Sequence, residues 1–582
     1  MNKYLALATL ALGWLPTSGA VPHHQPLPIR RQDAEAVVTI PSGTIVGSAV
    51  QDLEMFNGIP FADPPTGPLR LRPPRKLSTH LGSFNATGVA KLCPQGPVFR
   101  LPPSSSPEQR DFVRDAARDS FGIQTPGDAQ DPGQSEDCLT VTVHRPRGTQ
   151  AGDDLPVLFY IFGGGFMVGG TSAKVNDPAK LVRTGIEVGQ PFVFVAVNYR
   201  VAGWGFMPGA EIQRDGSANA GLLDQRMGLE WVADNIAAFG GDPDKVTVWG
   251  QSAGSISVFD QMALYDGDAT YNGEPLFRAA IMNSGSVTPV DAVDSPKAQA
   301  VYDLVVEAAG CDGDDSLACL RALAYEDFAS AANSVPALLS YESLALSYLP
   351  RPDGQALTES PHVLAQEGRF HAVPTIIGTQ EDEGTVFSLL QGDMGTTDRI
   401  VDYLADLYFH NAERSQVTAL VDTYSARFED GSPFRTGTLL ESLYYPGQKR
   451  IAAILGDVVF NLIRRWTLET VAAARPDVPL WSSFASYNYR LGLLGTQHGS
   501  DTSVFFGRDN SYYPASTGRQ YYINFLYNLD PNVGLEPDVF WPRWTEGSQL
   551  LWYNASNNGL LDDDYRAGSY EFLRENIDVF SF

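Results

Sequence analysis

Five short runs of this chain are apolar almost throughout, and four of them end at or near glycine. Leu155 to Phe162 leads into Gly163-Gly164-Gly165, and Val246 to Trp249 into Gly250. Ala279 to Met282 leads into Asn283-Ser284-Gly285, and Thr375 to Ile377 into Gly378. The fifth run, Phe192 to Asn198, leads into Tyr199-Arg200. A strand that is apolar on both faces must be covered on both faces, which is the condition of a parallel sheet. Helical periodicity lies between the runs: Gly221 to Phe239 carries apolar residues at three- and four-residue steps. Strands alternating with helices predict an α/β fold, a large mostly parallel sheet flanked by helices on both faces. Ligand sites in such sheets form beyond the carboxyl ends of the strands, where these turns fall.

One turn carries chemistry. Gly250-Gln251-Ser252-Ala253-Gly254 fits G-x-S-x-G, directly after the strand VTVW and before the apolar, helix-compatible stretch Ala253 to Leu264. That context is the nucleophile elbow, a tight strand-to-helix turn that pushes a serine hydroxyl out of the sheet. A serine hydroxyl needs a base to take its proton. The chain has eight histidines. His23 and His24 lie near the N-terminus, His80 and His144 precede the elbow, and His362 and His371 precede the next strand. The order serine, acid, histidine leaves His410 and His498. His410 falls in an amphipathic helical pattern, Arg399 to Glu413, whereas His498 sits in the loop Leu494 to Gly499, which favours His498. The acid should orient that histidine. Glu381, Asp382 and Glu383 follow the strand at Thr375, and residue pattern alone does not choose among them. An oxyanion needs backbone donors, and the loop Gly163-Gly164-Gly165-Phe166 and the N–H of Ala253 are placed to supply them. A dinucleotide fingerprint fails because Val168 stands at its last glycine position, and no Gly-Lys pair exists for a phosphate loop.

Composition bounds the partners. The 582 residues carry 41 Lys+Arg against 68 Asp+Glu, a net charge of −27, which excludes nucleic acid and acidic membrane surfaces as partners. The N-terminus reads as a signal peptide over residues 1–20, with Lys3, the apolar run Leu5 to Leu15, and small Ser18 and Ala20 before the cleavage site. Residues 21–31 form a pro-segment if the dibasic pair Arg30-Arg31 is processed, leaving 32–582 as a single domain. No other stretch is long and apolar enough for a membrane helix, so the protein is expected to be secreted. The sequons Asn85-Ala-Thr87 and Asn554-Ala-Ser556 suit that compartment, marking Asn85 and Asn554 as glycosylation sites. So do four cysteines, Cys93, Cys138, Cys311 and Cys319, which allow three pairings. With no CxxC or HExxH motif, neither a metal nor a cofactor is expected.

Taken together, these motifs resemble the type-B carboxylesterase/lipase family, the cholinesterase-like branch of the α/β-hydrolases. The resemblance runs from about Val38 to the C-terminus. It rests on Phe239 to Gly254, which contains the elbow, and on Glu136-Asp137-Cys138-Leu139 to Pro146. Phe56 to Ala62, Leu69 to Pro74, Asn198-Tyr199-Arg200 and Ile281 to Ser286 support it. The resemblance implies the α/β-hydrolase fold, with Ser252 as nucleophile, Glu383 as acid and His498 as base. It also implies oxyanion donors at Gly164, Gly165 and Ala253, disulfides Cys93–Cys138 and Cys311–Cys319, and hydrolysis through an acyl-enzyme. Two positions depart from the pattern: Phe162 replaces the usual His or Tyr, and Gln251 the commoner Glu.

The segment between Cys93 and Cys138 matches the lid of the family's lipases. Ser106-Pro107-Glu108-Gln109 reads as N-cap, first-turn proline and capping box. Phe112, Val113, Ala116, Ala117 and Phe121 then form one apolar stripe, and Gly122 suits a C-cap. No Trp occurs in this segment, which disfavours choline esters. The expected substrates are small-molecule or lipid esters, with a carboxylesterase as first reading and, as alternatives, an interfacial lipase or sterol esterase, or an esterase of a specialised-metabolite ester. A non-catalytic binding member of the fold is the remote alternative.

Overall fold

The computed structural model describes residues 34–101, 105–121, 132–438, 441, 444–488, 493–508 and 512–582. The expected signal peptide 1–20, the expected pro-segment 21–31 and the expected C-cap Gly122 lie outside the described residues. Strands β1 (Ala34–Ile40), β2 (Gly43–Val50), β3 (Leu53–Pro60), β4 (Gly82–Asn85) and β5 (Thr140–Pro146) begin one sheet. It continues through β6 (Leu155–Ile161), β7 (Val193–Val197), β8 (Gly241–Gln251), β9 (Ala279–Asn283) and β10 (Thr375–Gln380). Strands β11 (Leu480–Ala485), β12 (Gln549–Tyr553) and β13 (Asn558–Asp562) complete it. The spatial order is β1-β2-β3-β5-β7-β6-β8-β9-β10-β11-β12-β13, with β4 beside β2. Every pairing from β7 to β12 is parallel. The neighbours on either side of that block pair antiparallel.

The five apolar runs are β6 to β10, the parallel centre. Successive residues of a strand face opposite ways, and both directions here are covered. Tyr160 packs on Trp249, and Trp249 meets Tyr522, on the helix Pro514–Asn528. Phe159 and Val197 face Gly228, on the helix Ala220–Asn235, where an added Cβ would lie 2.6 Å from Val197. The predicted run Gly221 to Phe239 is this helix plus a 3-10 turn, Ile236–Phe239.

Two readings of local structure are corrected. Gly378 does not end its strand but lies inside β10, where glycine serves close packing and not a turn: an added Cβ would lie 2.4 Å from the Ser483 hydroxyl of β11. The turn therefore falls later, at the three acids. The amphipathic pattern Arg399 to Glu413 is not one helix. A helix Thr397–Leu407 ends before His410, and Glu413 caps a second helix, Arg414–Asp422, in a capping box with Gln416. The disulfides join Cys93 to Cys138 and Cys311 to Cys319.

The first disulfide closes the lid segment. Its helix α1 (Pro107–Phe121) begins at Ser106, whose hydroxyl accepts from the Gln109 amide while the Gln109 side chain accepts from the Ser106 amide. Val113, Ala116, Ala117 and Phe121 are buried, Phe112 half so, and the Asp111–Arg114 and Asp115–Arg118 ion pairs face outward.

Candidate active site

Strand β8 ends at Gln251, and helix α2 (Ala253–Gly267) starts two residues later. Ser252 alone makes the turn, with φ 57° and ψ −126°, in the region that disfavours any side chain. The neighbouring glycines allow it: a Cβ on Gly254 would lie 2.0 Å from the Ile161 carbonyl. The Ser252 amide donates to the Asn283 carbonyl of β9 at 2.8 Å, tying the turn to the sheet.

The Ser252 hydroxyl lies 2.7 Å from His498 Nε2, and His498 Nδ1 lies 2.6 Å from Glu383 Oε2. His498 and Glu383 are wholly buried. With Nδ1–H given to the carboxylate, Nε2 is left to accept the serine proton. The other Glu383 oxygen accepts from the Gln380 amide at 2.7 Å, which fixes the carboxylate plane. The rings of Phe460 and Phe387 flank the imidazole at 4.6 and 5.0 Å, and the Gln251 amide nitrogen stands 3.4 Å from Nε2. A hydroxyl, imidazole and carboxylate in this line can deliver an alkoxide to an electrophilic carbonyl.

The two other acids of the turn do different work. Asp382 accepts from the Thr496 and Phe434 amides and the Ser432 hydroxyl, so it anchors the loop that carries His498. Burial pushes its carboxyl up to about 6 against those bonds. Glu381 pairs with Arg435, yet burial and then the Asp382 charge push it up to about 7. His410 lies in the turn between the two helices of the corrected pattern, lining a groove that does not contain Ser252.

The glycine loop runs beside the serine: a Cβ on Gly163 would sit 2.8 Å from Ser252 Cβ. Among the described residues the amides of Gly164 and Gly165 have no acceptor. Gly164 adopts φ 120°, where an added Cβ would meet the Val168 carbonyl at 2.1 Å. Phe162 stacks on Tyr199 at 4.3 Å, and the Tyr199 hydroxyl donates to the Phe162 carbonyl, holding the start of the loop. Ser252, Ala253 and Gly165 line a narrow cavity that is partly open to solvent. Its other walls are largely apolar, including Leu338, Leu349, Val459 and Phe460. Phe121 of α1 forms part of its wall, 6.1 Å from the His498 ring, and Gln497 donates to Ser120 at 3.0 Å. Helix α1 thus packs directly on the histidine loop.

A sequence model described as the carboxylesterase family matches residues 34–572. The chain belongs to the carboxylesterase family. It is 56% identical over 552 residues to a secreted triacylglycerol lipase of Gibberella zeae, covering 94% of this chain and 91% of that one. It is 50% identical to a secreted lipase of Botryotinia fuckeliana, over 95% of each chain. A third relative is a lipase of Diutina rugosa, 41% identical over 94% of this chain and 97% of that one. Among solved structures, EstA of Aspergillus niger shares the fold, with TM-score 0.75 at 23% identity over 94% of this chain and 99% of that one. The protein is a secreted carboxylic ester hydrolase with the α/β-hydrolase fold.

In this carboxylesterase several family motifs serve the framework. Arg70 clamps Glu136 through two bonds, at 2.6 and 2.9 Å, beside the Cys93–Cys138 disulfide. Arg200 makes the same two-pronged contact with Asp224. Sequence reasoning missed Asp382 as the anchor of the histidine loop and Phe387 and Phe460 as its walls. The only available signal was that three acids stood together where one was needed. No helix of the described residues is long and apolar enough to cross a membrane.

Proposed function

We propose that Ser252, His498 and Glu383 hydrolyse esters of long-chain acids, acylglycerols first among them, through an acyl-enzyme. Ser252 Oγ attacks the ester carbonyl carbon as His498 Nε2 takes its proton. The oxyanion gathers at the amides of Gly164, Gly165 and Ala253. His498 returns the proton to the departing alcohol, leaving the acyl group on Ser252. A water deprotonated by His498 then attacks the acyl carbon, the bond to Ser252 Oγ breaks as His498 returns the proton to it, and the acid is released. Glu383 holds Nδ1–H and stabilises the imidazolium. The observation that carries this reading is the unbroken 2.7 and 2.6 Å line from hydroxyl to carboxylate, opening on an apolar cavity. The apolar wall and the lipase relatives favour fatty acyl groups over the small soluble esters that sequence alone put first. Helix α1 acts as a lid that swings away at a lipid surface.

Loss of residues 1–20 leaves 21–582, and in the same reading cleavage after Arg31 releases 32–582 as the catalytic unit. Asn85 is exposed and Asn554 partly so, both open to glycan transfer. Turnover of p-nitrophenyl butyrate by wild type and its loss in Ser252→Ala tests the mechanism; equal turnover in the variant overturns it. Rate on emulsified tributyrin tests the lid, and is expected to rise above the solubility limit. A rate that saturates below that limit returns the protein to soluble esters, the second reading, and leaves the triad untouched.

A further inference from the structure

The cavity has an apolar wall except at Ser252, Asp260 and Thr288. Ser252, Ile256 and Asp260, four residues apart, form one stripe of its wall. Asp260 is 1% exposed, and neither of its carboxyl oxygens has a hydrogen-bond partner among the described residues. Thr288, 8% exposed, lines the same cavity with its hydroxyl equally unpartnered. Buried polar atoms are nearly always paired, and a carboxyl left alone in an apolar wall costs folding free energy. Burial pushes the Asp260 carboxyl up to about 8, with no charged neighbour contributing. It therefore carries its proton at neutral pH, and both donates and accepts.

Asp260 follows Ser252 by eight residues, about 12 Å of axial rise along the helix. An extended chain advances about 1.2 Å per bond, so Asp260 stands about ten bonds from the scissile carbonyl. We propose that Asp260 is a polar subsite within the acyl-binding cavity, selecting acyl chains that bear a hydroxyl near mid-chain. The hydroxyl would donate to one carboxyl oxygen and accept from the other, satisfying a pair that a plain hydrocarbon chain leaves bare. Thr288 offers a further polar contact in the same wall. This inference rests on the reading of the cavity as the site of a long acyl group.

The test is internal competition between p-nitrophenyl stearate and its 10- and 12-hydroxy counterparts, the released acids counted by mass spectrometry. Wild type is expected to favour a hydroxylated chain by about threefold to tenfold in kcat/KM, the size of one buried hydrogen bond. Asp260→Asn, which still donates and accepts, should keep a preference, and Asp260→Leu should bring the ratio to one or below. The ratio is the readout, so a general loss of activity in a variant does not imitate the effect. A wild-type ratio of one, or a ratio unchanged in Asp260→Leu, overturns the inference alone. Hydrolysis of the butyrate ester with none of the long esters overturns the long-acyl reading of the cavity and this inference with it.

Discussion

At the residue scale, the site depends on side chains whose chemistry is set by their immediate partners. Glu383 touches the imidazole, whereas Asp382, one position earlier, holds the loop behind it. The two should separate by mutation. Glu383→Gln is expected to lower kcat by about ten-thousandfold with little change in KM, because the imidazolium loses its counter-charge. Asp382→Asn should cost at most about a hundredfold, through misplacement of His498, and about 1–3 kcal/mol of stability from buried donors left unpaired. Steady-state kinetics with urea unfolding checks both. Equal inactivation by the two would mean that the acid is wrongly assigned. Ser252 itself stores strain at φ 57°. Glycine relieves strain of that kind, worth about 1–3 kcal/mol, so Ser252→Gly should be inactive yet at least about 1 kcal/mol more stable than Ser252→Ala. Denaturant midpoints that coincide for the two variants would show an unstrained turn.

At the scale of elements, the lid helix is held by its own cap as much as by its apolar stripe. Ser106→Ala removes the acceptor for the Gln109 amide and should loosen α1 by about 1 kcal/mol. Such local loosening leaves the global unfolding midpoint in place, while protease cuts the Cys93–Cys138 segment faster. Unchanged cleavage would place the lid's stability in packing alone. This helix was legible in advance because its start signal, stripe and charged face agree. The strands β6 to β10 were legible for the same reason, since burial on both faces leaves an unbroken apolar run. The antiparallel strands β1 to β3 went unread. His410 was misplaced because the apolar period runs across the turn from Leu407 to Glu413 without glycine or proline to break it. Asp260 stood within a helix buried nearly all round, where periodicity carries no information about which side meets a cavity. Residue pattern alone left the acid open among three, because only the folded path of the 493–508 segment decides which carboxylate meets His498, and the family resemblance was what pointed to Glu383.

At the scale of the whole molecule, buried carboxyls tie stability to pH. Asp260 is pushed up to about 8, Asp501 to about 7 by burial and then by the Glu383 charge, and Asp382 to about 6. Unfolded, these aspartates release their protons near 3.8. Between that value and about 8 the folded chain therefore binds more protons than the unfolded chain, and stability falls as pH rises. Their contribution is complete below about 4 and lost above about 8. The buried Asp563 works the other way. Burial alone would raise it, but Arg464 and Arg465 hold it low, so its contribution persists until the pH drops through the acid range. A net charge of −27 adds self-repulsion that grows as surface carboxylates ionise. The unfolding midpoint should accordingly be higher at pH 5 to 6 than at pH 8, at constant ionic strength. Asp501→Asn should flatten the dependence by removing one of the raised groups, whereas added salt at pH 8 should recover only the repulsive part. A midpoint that climbs steadily from pH 5 to pH 8 would mean that these carboxyls are ionised in the folded protein, and that the wall of the cavity at Asp260 carries a charge.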